Sequence, residues 1–261
     1  MSQSIVRLLE IMQALRDPQT GCAWDRQQTL ASIVPHTLEE AYEVAEAVAR
    51  GESSAIRDEL GDLLFQVVFL ARIAEEQGQF DFEAVAAAIA DKLVSRHPHV
   101  FADPTALTAE AQTEAWEGFK AEERRRGGEV GVLAGVALAL PALSRAAKLG
   151  KRAARVGFDW PEVSGVRAKV DEELTELEAA LAARESTDRQ TEELGDVLFA
   201  IANWARHLKL DPEAALRASN AKFERRFATM ERLASERGLV LDALDLAAWE
   251  ALWSEAKAGD R

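Results

Sequence analysis

The chain has 261 residues, 48% of them hydrophobic, and a formal net charge of -14 at pH 7, which allows two domains of ordinary size. Such an acidic chain lacks the basic face of a duplex-binding protein, and no apolar run approaches the roughly 20 residues that span a bilayer, so we expect neither nucleic acid nor a membrane as partner. Cys22 is the only cysteine, which excludes an intramolecular disulfide, and we expect a cytoplasmic location.

Hydrophobic residues recur at helical spacing from the beginning of the chain, as in the stripe of Leu8, Leu9, Met12 and Leu15. Alternation of β-branched and polar residues, which is typical of strands, is scarce. Residues that end helices then follow at Asp17-Pro18, Gly51, Gly78, Pro98, Gly157, Gly238 and Gly259. The sequence therefore predicts an all-α protein made of helices and loops.

A glycine-rich, charged stretch at residues 124–135 is the best candidate for a linker. It separates two predicted helical domains of similar length, residues 1–123 and 136–261. The two halves share an internal repeat. Its paired segments are, in chain order, 21–24 with 157–160, 39–43 with 172–176, 59–65 with 193–199, 92–96 with 222–226, and Trp116 and Lys120 with Trp253 and Lys257. Chance matches would not keep this order, so the sequence indicates a duplicated domain.

Pairs of acids at helical spacing are the strongest functional pattern in the first half. Glu40 and Glu43 are three residues apart and share one helix face, and Glu59 and Asp62 do the same on the next predicted helix. Gly51 lies midway between the pairs and is well suited to end a helix. A helical hairpin that turns there brings the four carboxylates opposite one another, as candidate metal ligands.

The second half repeats this arrangement around a turn at residues 184 and 185, with Ser186, Thr187 and Asp188 as candidate caps for the next helix. The corresponding candidate ligands are Glu173, Glu176, Glu193 and Asp196. Charged helix faces are usually solvated, but Asp62 and Asp196 are the only charged residues in two long apolar runs, which predicts that they lie on buried helices. Converging buried carboxylates require cations, and oxygen ligands suit Mg²⁺, with Mn²⁺ as a substitute.

The pattern E-E-x-x-E, followed after a gap by E-x-x-D, resembles the signature of the all-α nucleoside triphosphate pyrophosphohydrolases, and its duplication in one chain resembles the MazG family. The segments GCAWD, TLEEAYEV, DELGDLLFQVVF, RHPHVF, GFDW and KFERRF are also similar to that family. The resemblance covers essentially the whole chain. It implies hydrolysis between the α and β phosphates to a nucleoside monophosphate and pyrophosphate, Mg²⁺ dependence, and a homodimer of helical bundles.

Such a reaction needs no covalent nucleophile, because carboxylate-held metal ions activate water and cations hold the phosphates. In the second half we assign catalysis to Glu172, Glu173, Glu176, Glu193 and Asp196. We assign binding of the nucleoside triphosphate to Lys169, Arg189, Glu192, Asn203, Lys222, Arg226 and Trp253. The cations suit phosphate, and the indole suits stacking on a base.

The two halves differ in residues other than the acids. Lys169 aligns with His36, Arg189 with Ala55, and Asn203 with Phe69. Asn203 is seven residues after Asp196 and so shares its helix face. The first half therefore keeps its metal ligands but lacks two cations for phosphate and one polar group near the metals. These differences predict that the second half is the catalytic one.

Three alternatives bear on the interpretation. A di-iron helical bundle uses Glu-x-x-His pairs on facing helices, and none of these acid pairs has histidine at the third position, which disfavours it. A metal-binding dimeric scaffold with little activity is the alternative from a non-enzymatic class. Within the enzyme class, a narrow dUTP or dCTP preference is the alternative to the broad, house-cleaning specificity that we favour.

Overall fold

A computed structural model describes residues 3–102, 108, 112, 118, 119 and 131–259. These residues form helices and loops without any strand, which confirms the all-α prediction. In the first half the helices are α1 (Gln3–Leu15), α2 (Leu30–Arg50), α3 (Ser53–Glu76), α4 (Phe82–Arg96) and α5 (Pro98–Phe101). In the second half they are α6 (Ala142–Ala154), α7 (Val163–Ala182), α8 (Thr187–His207), α9 (Pro212–Glu236) and α10 (Leu246–Gly259). Short 3-10 turns occupy Asp25–Gln27 and Leu241–Ala243. None of the described helices is long and apolar enough to cross a membrane.

The chain divides into two compact units, Met1–Phe119 and Lys120–Arg261. Most of the predicted linker at 124–135 lies outside the described residues, as do Trp116 and Lys120 of the repeat. The domain boundaries at 123 and 136 therefore stay a prediction.

The first unit is built around the α2–α3 hairpin, on which α1 and α4 pack. Its core is a cluster of buried apolar side chains from α1, α2 and α3: Met12, Ile33, Val68, Phe69 and Ile73. Helix α2 begins at a capping box, in which the side chain of the residue before the helix accepts a hydrogen bond from the third helical N–H. These contacts fix the hairpin that carries the acids.

The turn of this hairpin lies at Gly51, as the sequence predicts. Gly51 has a φ of 74°, in the left-handed region that favours glycine, and its N–H donates to the carbonyls of Ala47 and Val48. Helix α3 begins two residues later, at Ser53. The short turn sets the two helices antiparallel and side by side, so residues equally distant from Gly51 face each other.

The second unit repeats the hairpin with α7 and α8. Arg184 takes the left-handed conformation at its turn, with a φ of 53°, and the side chain of Ser186 caps α8 by accepting a hydrogen bond from the N–H of Arg189 at 3.3 Å. Helix α6 packs on α8 at Gly150, where a Cβ atom would lie only 2.5 Å from Oδ1 of Asn203. Helices α9 and α10 enclose a second apolar cluster, formed by Met230, Leu233, Ala234, Leu252 and Ala256.

Candidate metal and phosphate site

The α2–α3 hairpin brings three acids of the first unit together. Glu40, Glu43 and Glu59 each place one carboxylate oxygen within 4.8 Å of the others. Glu40 and Glu59 are half-buried and Glu43 is exposed. Asp62 lies outside this group of three, but its charge contributes to the raised pKa of Glu40, for which burial is the largest cause.

The α7–α8 hairpin forms the corresponding group in the second unit from Glu173, Glu193 and Asp196, again with oxygens within 4.8 Å of one another. Glu173 is 7% exposed and Glu193 is 2% exposed, whereas Asp196 is exposed. Glu176 lies outside the three, but its charge contributes to the raised pKa of Glu193. Each unit thus brings together three of its four predicted ligands, and the fourth remains within electrostatic reach.

The prediction that Asp62 and Asp196 lie on buried helices is confirmed only in part. Both acids are exposed, although α3 also carries the fully buried Val68 and Phe69. In α8 the apolar neighbours of Asp196 share its exposure, with Leu194 at 49% and Leu198 at 47%. The apolar composition of α8 therefore does not reflect burial within this chain. Only one face of the helix packs on its neighbours.

Burial and mutual repulsion act on the acids of both units. Burial is the largest cause of the raised pKa of Glu59, and the charges of Glu43 and Asp62 raise it further. Burial is also the largest cause of the raised pKa of Glu193. The charge of Arg189 lowers this pKa, and the charges of neighbouring acids raise it further. A bound cation would relieve both effects, because it lowers the cost of burying several negative charges together.

Two of the predicted phosphate-binding cations lie directly beside the acids of the second unit. Nζ of Lys169 is 2.8 Å from carboxylate oxygens of Glu172 and Glu173, and hydrogen bonds to these acids raise its pKa, with Glu172 the larger cause. Arg189 forms a salt bridge to Glu192 at 2.7 Å and another to Glu193. These cations partly neutralise the acid group.

The first unit has no such cations at the aligned positions. Ala55 stands where the second unit has Arg189, and His36, in place of Lys169, lies 3.7 Å from Glu39.

Sequence reasoning missed Gln66, a buried side chain whose Nε2 donates a hydrogen bond to Oε1 of Glu40 at 3.3 Å. The signal was present, because Gln66 is the one other polar side chain in the run after Asp62 and lies one helical turn beyond it.

Asn203 was predicted to place a polar group near the metal ligands, and the structure gives it other neighbours. Its Oδ1 accepts a hydrogen bond from Nε of Arg206 at 2.6 Å and faces Gly150 of α6. It lies seven residues beyond Asp196, about 10 Å along the helix. In this structure Asn203 helps to pack α6 on α8.

The same part of the second unit contains a strong ion pair. Arg206 donates to both carboxylate oxygens of Asp159, at 3.0 and 2.5 Å, and His207 lies 2.8 Å from Asp159. Hydrogen bonding by Arg206 is the largest cause that lowers the pKa of Asp159, to about 2, against the opposing effect of burial. This network ties the loop before α7 to the end of α8.

The remaining predicted substrate residues lie on α9 and α10. The guanidinium of Arg226 lies over the ring of Trp253, 5.8 Å from its centroid, and the ring of Phe223 lies 5.6 Å from the same indole. Trp253 is half-buried, while Lys222 is exposed one turn before Arg226. The indole of Trp253 thus contacts one of the predicted cations, Arg226. That these residues lie near the acids of α7 and α8 stays a prediction.

Comparisons with known proteins agree with the duplicated hairpins. A family model described as the MazG nucleotide pyrophosphohydrolase domain matches residues 28–101 and 163–244. The chain is 50% identical over 255 residues to the nucleoside triphosphate pyrophosphohydrolase of Escherichia coli strain K12, with 97% of each chain covered. It is 43% identical over 258 residues to the nucleoside triphosphate pyrophosphohydrolase/pyrophosphatase MazG of Thermotoga maritima, covering 97% of this chain and 95% of that one. A crystal structure of a mazG-related protein from Thermotoga maritima shares 26% identity over 44% of this chain and 98% of that chain, with a TM-score of 0.38.

Proposed function

Because the chain belongs to the MazG nucleotide pyrophosphohydrolase family, we propose that it hydrolyses nucleoside triphosphates, with Mg²⁺, to the nucleoside monophosphate and pyrophosphate. The observation that carries the proposal is the convergence of Glu173, Glu193 and Asp196 within 4.8 Å, beside the cations of α7 and α8. The chain offers acceptors for a metal and donors for a triphosphate in one place. The specificity that we propose is broad, over ribo- and deoxyribonucleotides.

The acid group of the second unit fits Mg²⁺. Mg–O distances are about 2.0–2.1 Å in an octahedral site, so two oxygens on opposite sides of one ion lie about 4 Å apart, and the observed spacing accommodates this. Glu173, Glu193 and Asp196 would hold the ion, and Glu176, on the same helix face as Glu173, would be a further ligand. When bound, Mg²⁺ neutralises phosphate charge and lowers the pKa of a bound water. Mn²⁺ would suit the same oxygen ligands.

The side chains beside the metal ligands supply the other functions. Lys169 and Arg189 now pair with carboxylates, and phosphate oxygens of the substrate are alternative acceptors for the same N–H groups. Glu172 and Glu192 hold these cations from the exposed side. Once Lys169 turns to the phosphates, the carboxylate of Glu172 is released to accept a proton from the attacking water.

Residues of α9 and α10 would bind the rest of the nucleotide. The half-buried indole of Trp253 offers an aromatic face of the kind on which bases stack. Lys222 and Arg226, one turn apart on α9, would bind phosphate oxygens as charged donors. Stacking does not discriminate strongly among bases, which supports a broad specificity.

We also propose that the protein is a homodimer. Leu194, Leu198 and Ile201 form an exposed apolar stripe on α8, at positions that share one helix face. A second copy of this chain would cover it. Light scattering on the purified protein is expected to give twice the chain mass, and Leu198→Glu is expected to give monomers. A wild-type protein that is monomeric at micromolar concentration would contradict the dimer.

The activity is tested by phosphorus NMR on a nucleoside triphosphate incubated with the protein and Mg²⁺. We expect monophosphate and pyrophosphate as the products, and no turnover when a chelator replaces the metal. The variant Glu193→Gln, which removes one ligand charge and keeps the shape of the side chain, is the matched control. Formation of diphosphate and orthophosphate, or equal rates in chelator, would overturn the proposal.

A further inference from the structure

A cavity of about 520 Å³ opens in the first unit, beside the segment that joins α1 to α2. This volume falls within the range of roughly 300–1,000 Å³ that is typical of small-molecule sites. Three arginines, Arg16, Arg26 and Arg72, line the cavity, and Glu76 is the one acid among the lining residues. The cavity therefore concentrates positive charge in a chain whose net charge is -14.

Two of these arginines are fixed by Glu76. The side chain of Arg16 is 7% exposed, and its Nε lies 3.0 Å from each carboxylate oxygen of Glu76. Nη1 of Arg16 donates to the carbonyls of both Asp25 and Gln28. Nε of Arg72 donates to Glu76 at 3.0 Å, and its Nη1 donates to Glu75 at 3.0 Å. Glu76 thus holds Arg16 and Arg72 together at the wall of the cavity.

Arg26 is the cation that remains available. It follows Asp25 on the short 3-10 turn and is exposed, and its guanidinium makes no hydrogen bond or salt bridge with any residue that the structure describes. It contributes weakly to the lowered pKa of Asp17, which is due first to hydrogen bonds from Thr20. The N–H groups of its guanidinium can therefore bind a ligand in the cavity.

The internal repeat shows what a carboxylate does at this place. Asp159 of the second unit, the residue before the tryptophan of G-x-x-W, accepts two hydrogen bonds from Arg206. Arg206 aligns with Arg72, and Asp159 aligns with Ala23, which lines the cavity of the first unit. In the second unit the loop before α7 thus supplies a carboxylate to this arginine. In the first unit Arg72 pairs instead with Glu75 and Glu76 of its own helix, and Ala23 places only a methyl group at the cavity.

We propose that this cavity of the first unit binds a small phosphate-bearing anion. Arg26 donates hydrogen bonds to its oxygens, together with the Nη2 group of Arg72, since the other nitrogens of Arg72 donate to Glu75 and Glu76. The Arg16–Glu76 pair lies behind them. Phosphate is the anion that fits, because Arg26 makes no ion pair with any described residue in a lining of three arginines and one acid, and guanidinium groups bind phosphate oxygens bidentately. The site is separate from the acid groups and needs no metal.

Isothermal calorimetry on the full chain tests the site, with inorganic phosphate, pyrophosphate and a nucleoside monophosphate titrated separately in EDTA. The chelator prevents phosphate from binding through a metal at the acid groups, so a failure here leaves the proposed catalysis untouched. We expect saturable binding of one ligand per chain. The tightest of the three ligands identifies whether the phosphate is free or part of a nucleotide.

Two variants locate the binding. Ala23→Asp brings the carboxylate of the second unit into the cavity, and Arg26→Gln removes the available cation; each is expected to weaken binding at least about tenfold, the effect of losing one charge-assisted hydrogen bond. Arg57→Gln, which removes an exposed arginine of α3 paired with Asp58, is the matched control and keeps the affinity. Circular dichroism checks that each variant is folded. If Ala23→Asp does not fold, the affinity of Arg26→Gln decides the test. Absence of saturable binding, or binding that Arg26→Gln leaves unchanged, would overturn the proposal.

Discussion

The side-chain amide of Gln66 donates a hydrogen bond to Oε1 of Glu40 at 3.3 Å. In the second unit the aligned position is Ala200, and the acids there are held by Lys169 and Arg189 instead. An amide stabilises a carboxylate without supplying charge for a phosphate. The two hairpins thus share their acids and differ in what surrounds them, which leads to the first two predictions.

Turnover is expected to depend on the acids of the second unit far more than on those of the first. Glu193→Gln should nearly abolish kcat/KM for a nucleoside triphosphate, whereas Glu59→Gln, the aligned substitution in the first unit, should leave most of it. Steady-state kinetics on both variants, each shown to be folded and of wild-type mass, provides the comparison. Equal losses in the two variants would mean that both units are catalytic.

Replacing the two cations of the second unit by the residues of the first unit should remove activity, although the metal ligands stay in place. The double variant Lys169→His/Arg189→Ala copies His36 and Ala55. Each lost charge-assisted hydrogen bond is worth roughly 1.5–3 kcal/mol, so kcat/KM should fall on the order of 10²–10⁴-fold at about 1.4 kcal/mol per decade. Metal binding, followed by calorimetry, should persist. A double variant with wild-type kcat/KM would show that neither cation acts on the substrate.

Mg²⁺ is expected to raise the melting temperature, because the converging acids repel one another in the metal-free protein. A ligand that binds only the folded state at 100 times its Kd adds about 2.7 kcal/mol, which corresponds to a shift of several degrees. Calorimetric scans with and without millimolar Mg²⁺ measure it, and Glu193→Gln should show a smaller shift. An unchanged melting curve in the wild type would count against the metal site.

The Asp159–Arg206 ion pair gives a stability that depends on pH. Hydrogen bonding by Arg206 lowers the pKa of Asp159 from 3.8 to about 2, so the folded state favours the ionised carboxyl. The contribution is about 2 kcal/mol at about 1.4 kcal/mol per pKa unit, and solvent screening of this exposed pair reduces it to about 1 kcal/mol. It is fully present above about pH 4 and is lost as the pH falls through 2.

Urea unfolding of the wild type and of Asp159→Asn, measured from pH 7 down to 2, checks this effect. The difference in the free energy of unfolding should be constant near neutral pH and should shrink towards zero at pH 2. Asp58→Asn, at an exposed acid that pairs with Arg57, should change the free energy little at any pH. A difference between wild type and Asp159→Asn that does not vary with pH would show that the pair does not stabilise the ionised carboxyl.

Much of the fold followed from the sequence because its signals are local. Gly51 ends α2 in the left-handed conformation, as expected, and Ser186, one of three candidate caps, is the residue that caps α8. Since the short turns leave one way to align the helices, the spacing of the acids also predicted that they converge. Which three of the four approach most closely depends on side-chain rotamers, and helical periodicity does not contain that information.

Other features depend on packing that the sequence pattern does not specify. The apolar run around Asp196 indicated a buried helix, yet periodicity identifies an apolar face without identifying what covers it, and Leu198 is exposed in the chain. Asn203 lies on the face expected from its spacing, but Gly150 leaves space for it against α6. That contact joins residues far apart in the sequence and was not predictable from either one.

Hydrolysis in ¹⁸O-labelled water tests the central claim most directly, because the label marks the phosphorus atom that water attacks. With a nucleoside triphosphate and Mg²⁺, mass spectrometry should find one ¹⁸O in the nucleoside monophosphate and none in the pyrophosphate. That result places the attack at the α phosphorus. Label in the pyrophosphate, or label in orthophosphate released beside a nucleoside diphosphate, would contradict the account.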